Sequence, residues 1–184
     1  MNQPSSYSYN LNVQRELPGQ IILDVGYVGT MGRRLTRSFN INQLPAGTRL
    51  SPPNSSINVN ALRRFPGYAN LNFQENGDTS HYDSLQVAVS RRIARGLQIS
   101  ANYTFSKVMD SSGNGFQDIY NPRADIGLST IHRAHVANIA YVYELPFFRK
   151  DARKWLRNTL GGWDLSGITS FQSGAPVSLT VPAD

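Results

Sequence analysis

In a chain of 184 residues without cysteine, the three histidines are the first side chains to weigh for metal or proton chemistry. His132 and His135 form an HxxH spacing, His81 stands alone, and Asp118 and Asp125 are the acids that could join them. An HxxH gathers a metal when a helix brings the two rings to one side; in a strand, a three-residue step sends them to opposite faces. No helical pattern surrounds this pair, so no metal site is expected. The glycines of Gly113-Asn114-Gly115 lack the strand-to-helix setting of a phosphate cradle, and no Ser-His-Asp order is present. Without cysteine there is no disulfide framework, zinc cluster, thiol nucleophile or redox role. The expectation is a protein that is not an enzyme and has no cofactor.

Binding chemistry has more material. Asn114, Phe116, Gln117, Asp118, Tyr120, Asn121 and Arg123 mix aromatic rings with amides in one stretch, a combination suited to oligosaccharide or peptide contact; ordinary loop chemistry explains the same residues equally well. Eighteen Lys and Arg against 12 Asp and Glu leave a net charge of +6. These bases come as scattered pairs (Arg33-Arg34, Arg63-Arg64, Arg91-Arg92) and one looser set, Arg149, Lys150, Arg153, Lys154 and Arg157. Scattered pairs do not make a nucleic-acid stripe, and no nucleic-acid partner is expected. The 149–157 set reads as a basic helical turn anchored at lipid head groups.

The elements that carry these residues are strands. Charged residues are only 16 % of the chain, and 16 Asn, 19 Ser, 15 Gly and 10 Pro stand in their place beside 19 aromatics. That composition opposes both a helical bundle and a charged disordered tail. Residues 97–106 settle the period: Leu97, Ile99, Ala101, Tyr103 and Phe105 occupy the odd positions, and Gln98, Ser100, Asn102, Thr104 and Ser106 the even ones. Strands of the same kind are predicted at 7–16, 20–28, 82–92, 135–145 and 163–172, with a last one beginning at Val177, Leu179 and Val181. About seven strands of some ten residues exceed the usual globular length and match the 9–11 residues that cross a bilayer at a tilt.

Connection lengths point the same way. Pro18-Gly19 and Ala94-Arg95-Gly96 read as tight turns, whereas about 29–80 and 107–131 are long, which puts both long loops at one end of a meander. No apolar run of 18 residues exists, so any crossing is by strands, and residues 1–20 lack the pattern of a signal peptide. The predicted fold is an all-β antiparallel meander, a fragment of a transmembrane outer-membrane β-barrel. Leu11, Val13, Ile21, Leu23, Val25, Leu85, Val87, Val89, Leu97, Ile99, Ala101, Ile139 and Leu165 would face lipid. Tyr7, Tyr9, Tyr27, Tyr103, Phe105, Tyr141, Tyr143, Trp163 and Phe171 would form the aromatic girdles at its edges. The competing architecture is a soluble, secreted β-sandwich, an adhesin or carbohydrate-binding module whose aromatics fill a core.

The order NLNVQRELP (10–18), DVGYVGTMG (24–32), SLQVAVSRR (84–92), YTFSK (103–107), YELPF (143–147), GGWDLSGI (161–168) and QSGAP (172–176) resembles the barrel of Oar-like TonB-dependent transporters. The resemblance covers roughly 7–181, and each motif alone is weak. It implies a partial barrel, 1–184, of a transporter in the outer membrane of a Gram-negative cell that takes up a substrate not readable from these residues. The implied partners are outer-membrane lipid, the remaining strands and plug of the parent barrel, and the TonB complex acting only through that plug. No plug, TonB box or signal peptide is recognisable here. Where the family often carries acids before the YELPF strand, this chain has Thr130 and His132.

Overall fold

The computed structural model describes residues 3–94, 96–111, 116, 118–146, 154–155, 159 and 161–177. Seven strands form one antiparallel sheet: β1 (Ser5–Leu17), β2 (Ile21–Asn40), β3 (Asn72–Ala94), β4 (Leu97–Asp110), β5 (Gly127–Leu128), β6 (His135–Glu144) and β7 (Asp164–Gln172). The order is β1-β2-β3-β4-β6-β7, and β5 pairs with the upper end of β4 above β6. Apart from the short β5, each neighbour in sequence is a neighbour in space, as the alternation and turn spacing require. Among the described residues β1 and β7 do not pair with one another and no second sheet covers either face, so the β-sandwich alternative is not what the chain forms.

The strands are longer than their sequence signal. At about 3.4 Å per residue, the 20 residues of β2 and 23 of β3 run well past an apolar band about 25 Å tall. The connection expected over 29–80 is therefore a hairpin extension carrying a compact cap over 41–71. In that cap lie two short 3-10 segments, Thr48–Leu50 and Asn54–Ser56, and the single-turn helix α1 (Val59–Leu62), whose Asn58 side chain accepts from the Asn60 N–H. Likewise β4 runs to Asp110, leaving a shorter connection than 107–131. The strand expected from Val177 is not seen: Val177 is exposed and outside any strand, while Leu179 and Val181 lie outside the described residues. The seventh strand is instead the two-residue β5, too short to leave a periodic signal. Of the basic segment, Lys154, Trp155 and Thr159 are helical, and Arg149, Lys150, Arg153 and Arg157 lie outside the described residues.

Burial is inverted relative to a water-soluble domain. Every buried residue among those described is a glycine or polar: Gly26, Gly29, Gly32, Asn42, Asp78, Ser84, Ser106, Ser111, Ser129 and His132. Large apolar side chains stay open, with Leu11 at 70 % and Val13 at 62 % exposure. A single layer has no interior, so its apolar surface is stabilised only by whatever medium lies against it.

Candidate functional site

Register decides which side chains share a face, because directly paired residues point the same way. One row across the sheet is Val13–Val25–Val87–Tyr103–Ala137–Phe171; the rows beside it are Leu11–Tyr27–Leu85–Phe105–His135 and Arg15–Leu23–Val89–Ala101–Ile139–Thr169. Towards the tight turns follow Ile21–Arg91–Ile99–Tyr141 and then Leu97–Tyr143–Leu165. All the residues expected at lipid thus lie on one face of one sheet. The aromatics bracket it: Tyr7, Tyr9, Tyr27, Tyr103, Phe105 and Phe171 towards the long connections, Tyr141, Tyr143 and Trp163 towards the turns. From Leu97 to Phe105 this face rises eight residues, about 27 Å along the strand, which a tilt of about 40° reduces to about 21 Å.

The opposite face is concave and polar. Asn12–Gly26–Gln86–Thr104 and Gln14–Asp24–Ala88–Asn102–Asn138–Ser170 are its central rows. On β1 to β4, Asn12, Asp24, Gln86, Asn102 and Thr104 of these rows line a hollow of about 560 Å³. Polar side chains of this face bond to one another: Asn12 Nδ2 donates to the Asp24 carboxylate at 3.2 Å and Asn138 Nδ2 to Asn102 Oδ1 at 3.1 Å. The wall becomes more apolar towards β7, where Val142 and Ile168 stand exposed.

On the apolar face, rings are seated over glycines. The Tyr9 ring lies where a side chain at Gly29 would be, and its hydroxyl reaches Asp83 Oδ1 at 3.0 Å, beside the Tyr27 hydroxyl at 2.8 Å. The two rings stack with centroids 6.1 Å apart. Tyr141 sits over Gly167 in the same way, its hydroxyl 2.6 Å from the position of a Cβ there. Each ring covers backbone that a missing side chain would expose and holds strand register. Gly29→Ala is expected to evict the Tyr9 ring, break its hydroxyl's hydrogen bond to Asp83 and lower stability. In Tyr9→Ala the same change should cost almost nothing, and a double-mutant cycle without coupling would refute the seating.

Beyond the apolar band two bulges change the facing. β2 carries one extra residue at Arg34, with φ 56°, and β3 one at Gly77. Each insertion reverses the alternation on its strand, so beyond them the odd-numbered residues turn to the concave side. Arg37, Phe39, Phe73 and Glu75 gather there with Phe116 from the β4–β5 connection. Arg37 pairs with Glu75, its Nε 2.8 Å from Oε1, and lies 4.8 Å from the centroid of Phe116, which packs 5.7 Å from Phe39. Gln43 Nε2 donates to the Phe116 carbonyl at 3.3 Å. This cluster, unforeseen in the sequence because 29–80 reads there as one long loop, joins the two long connections. The Gly77 in a strand-length run was the available sign.

The other expected contacts do not assemble. Asn114 and Gln117 lie outside the described residues. Phe116 is engaged in the cluster just described, Asp118 Oδ1 accepts the Tyr120 N–H at 2.9 Å, Tyr120 is exposed, and Arg123 lies in a 3-10 turn. His132 is not in a strand: it is buried, and its Nδ1 accepts the Val108 N–H at 3.3 Å. His135, on the apolar face, meets the Tyr103 hydroxyl at 2.7 Å through Nδ1. The two rings diverge, and among the described residues no group of metal-binding side chains forms.

The family model described as an outer membrane beta barrel domain matches residues 1–184. No curated protein and no solved structure matches the chain.

Proposed function

The chain belongs to the outer membrane beta barrel domain family, and on that premise we propose that its strands are a sector of the barrel of a TonB-dependent transporter, a transport component and not an enzyme. The family places it in the outer membrane against lipid. The observation that carries the reading is the inverted burial: the large apolar side chains of the central strands β1 to β4 gather mostly on one unsupported face, and amides, hydroxyls and an acid predominate on the concave one. In hydrocarbon every backbone group must be paired within protein, so the open edges of β1 and β7 call for further strands, which the parent barrel supplies. The concave wall then lines the lumen, with the 41–71 cap and the β4–β5 connection at its mouth. Energy enters through a plug coupled to the TonB complex, and the solute passes along the amide wall.

Uptake by intact cells tests this. Cells that express the parent barrel should accumulate labelled oligosaccharides or peptides above the external concentration, and deletion of the barrel or of TonB should abolish accumulation. Entry that persists without TonB and never exceeds the external level would make the barrel a passive pore.

A further inference from the structure

Above the two bulges the concave side carries an aromatic surface with an ion pair set into it. Arg37 and Glu75 face each other across β2 and β3, and Phe39 and Phe73 are the next facing pair on that side. The guanidinium is held on three sides. Its Nε and Nη2 both go to Glu75 Oε1, the Phe116 ring centroid lies 4.8 Å from Cζ, and a Cβ at Gly77 would stand 3.1 Å from the same atom. We propose that this cluster is the entry contact for a neutral oligosaccharide, the solute class of the transporter.

The site stands at the lumen mouth of the transporter reading, on which the assignment rests. Ten residues separate Arg37 from Tyr27 at the aromatic edge, about 30 Å of strand, so the cluster lies in water clear of the hydrocarbon. Phe73 meets Phe39 with centroids 5.8 Å apart and planes at 66°, yet it remains 48 % exposed, and ring surface stays open to a ligand. A sugar has a C–H face that an aromatic ring attracts and a rim of hydroxyls that both donate and accept. Phe73 meets the first need. Arg37 Nη1 and Glu75 Oε2, unburied and without partners among the described residues, meet the second as a fixed donor beside an acceptor. Because Arg37 and Glu75 neutralise one another, the pair has no net charge with which to draw an ion. The wall below continues this chemistry: the polar side chains of its two central rows are amides and hydroxyls except for Asp24, which Asn12 binds. Each amide donates and accepts, as hydroxyls require, whereas the charged ends and side chains of a peptide would meet one carboxylate and no base in those rows.

The full chain in micelles of lauryldimethylamine oxide, a detergent without a sugar head group, is applied to an array of neutral glucans, mannans, xylans and galactans printed beside uronate and sulfated oligosaccharides and short peptides. Neutral oligosaccharides should be retained in preference, and Phe73→Ala should bind the best of them about tenfold more weakly. Phe73→Trp keeps a larger ring in the same place and should bind at least as tightly as the parent chain, which separates loss of the ring from loss of the fold. Phe171→Ala removes an exposed ring from the opposite face and should change binding less than about twofold. Retention of acidic oligosaccharides or peptides alone, no retention at all, or equal losses in Phe73→Ala and Phe171→Ala would overturn the site. Accumulation by cells that express the parent barrel separates this from the transporter reading. TonB-dependent accumulation of peptides and of no neutral oligosaccharide refutes the solute class alone, whereas oligosaccharide binding that needs Phe73, with entry indifferent to TonB, refutes the transporter reading and leaves the site standing.

Discussion

Val87→Arg is expected to cost about 2–4 kcal/mol of folding free energy in a bilayer, while Ala88→Arg, the next residue on the same strand, should cost less than about 1 kcal/mol. The two positions differ by one residue in depth and by the whole thickness of the sheet in surroundings. Val87 lies between Val25 and Tyr103 on the apolar face, where a guanidinium has only hydrocarbon to meet. Ala88 lies between Asp24 and Asn102 on the concave face, where the same guanidinium keeps water and gains a carboxylate. Reversible unfolding from phospholipid vesicles measures both, and a cost of 2 kcal/mol corresponds to about a thirtyfold change in the folded-to-unfolded ratio. Equal costs would mean that both faces are wet, and the membrane assignment of the faces would fall.

The second large effect is expected at Asn42, the fully buried side chain at the base of the 41–71 cap. Its Nδ2 lies 3.1 Å from the Phe65 carbonyl and 3.0 Å from those of Tyr68 and Ala69, while its Oδ1 accepts the Phe65 N–H at 2.9 Å. One amide thus satisfies both a donor and several acceptors of a returning chain. Asn40, the last residue of β2, accepts from the Asn42 and Leu71 N–H groups and so ties the chain entering β3 to the same base. Asn42→Ala leaves buried backbone groups without partners, each worth about 1–3 kcal/mol, so the cap should loosen by about 3 kcal/mol or more. Asn42→Asp keeps the volume but turns an acceptor towards three carbonyls, and should be at least as damaging. Trypsin reports the opening: cleavage at Arg49, Arg63 and Arg64 should accelerate in both variants, with the strands still protected. A tolerated Asn42→Asp would show that shape, not hydrogen bonding, holds the cap.

The fold class was legible because a strand in contact with two media must alternate, and in 97–106 the alternation is unbroken. Neighbour order followed from the turns: Pro18-Gly19 and Gly96, with φ 80°, close hairpins whatever the rest of the chain does. The division into an apolar and a polar face is likewise a property of local sequence, since parity alone assigns it between turn and bulge. Extended strands over 29–40 and 72–81 were hidden for a physical reason. Outside the hydrocarbon both faces are wet, so Arg, Asn, Gln and Thr occupy either parity and the pairing rests on backbone hydrogen bonds that leave no period.

Tertiary structure decided what depends on two distant segments meeting. The seat of Tyr9 over Gly29, the closure of the cap around Asn42 and the contact of Phe116 with Arg37 each need a register that no single segment encodes. The reversal of facing at Arg34 and Gly77 also appears only when two strands are paired, because a bulge is defined by the mismatch between them.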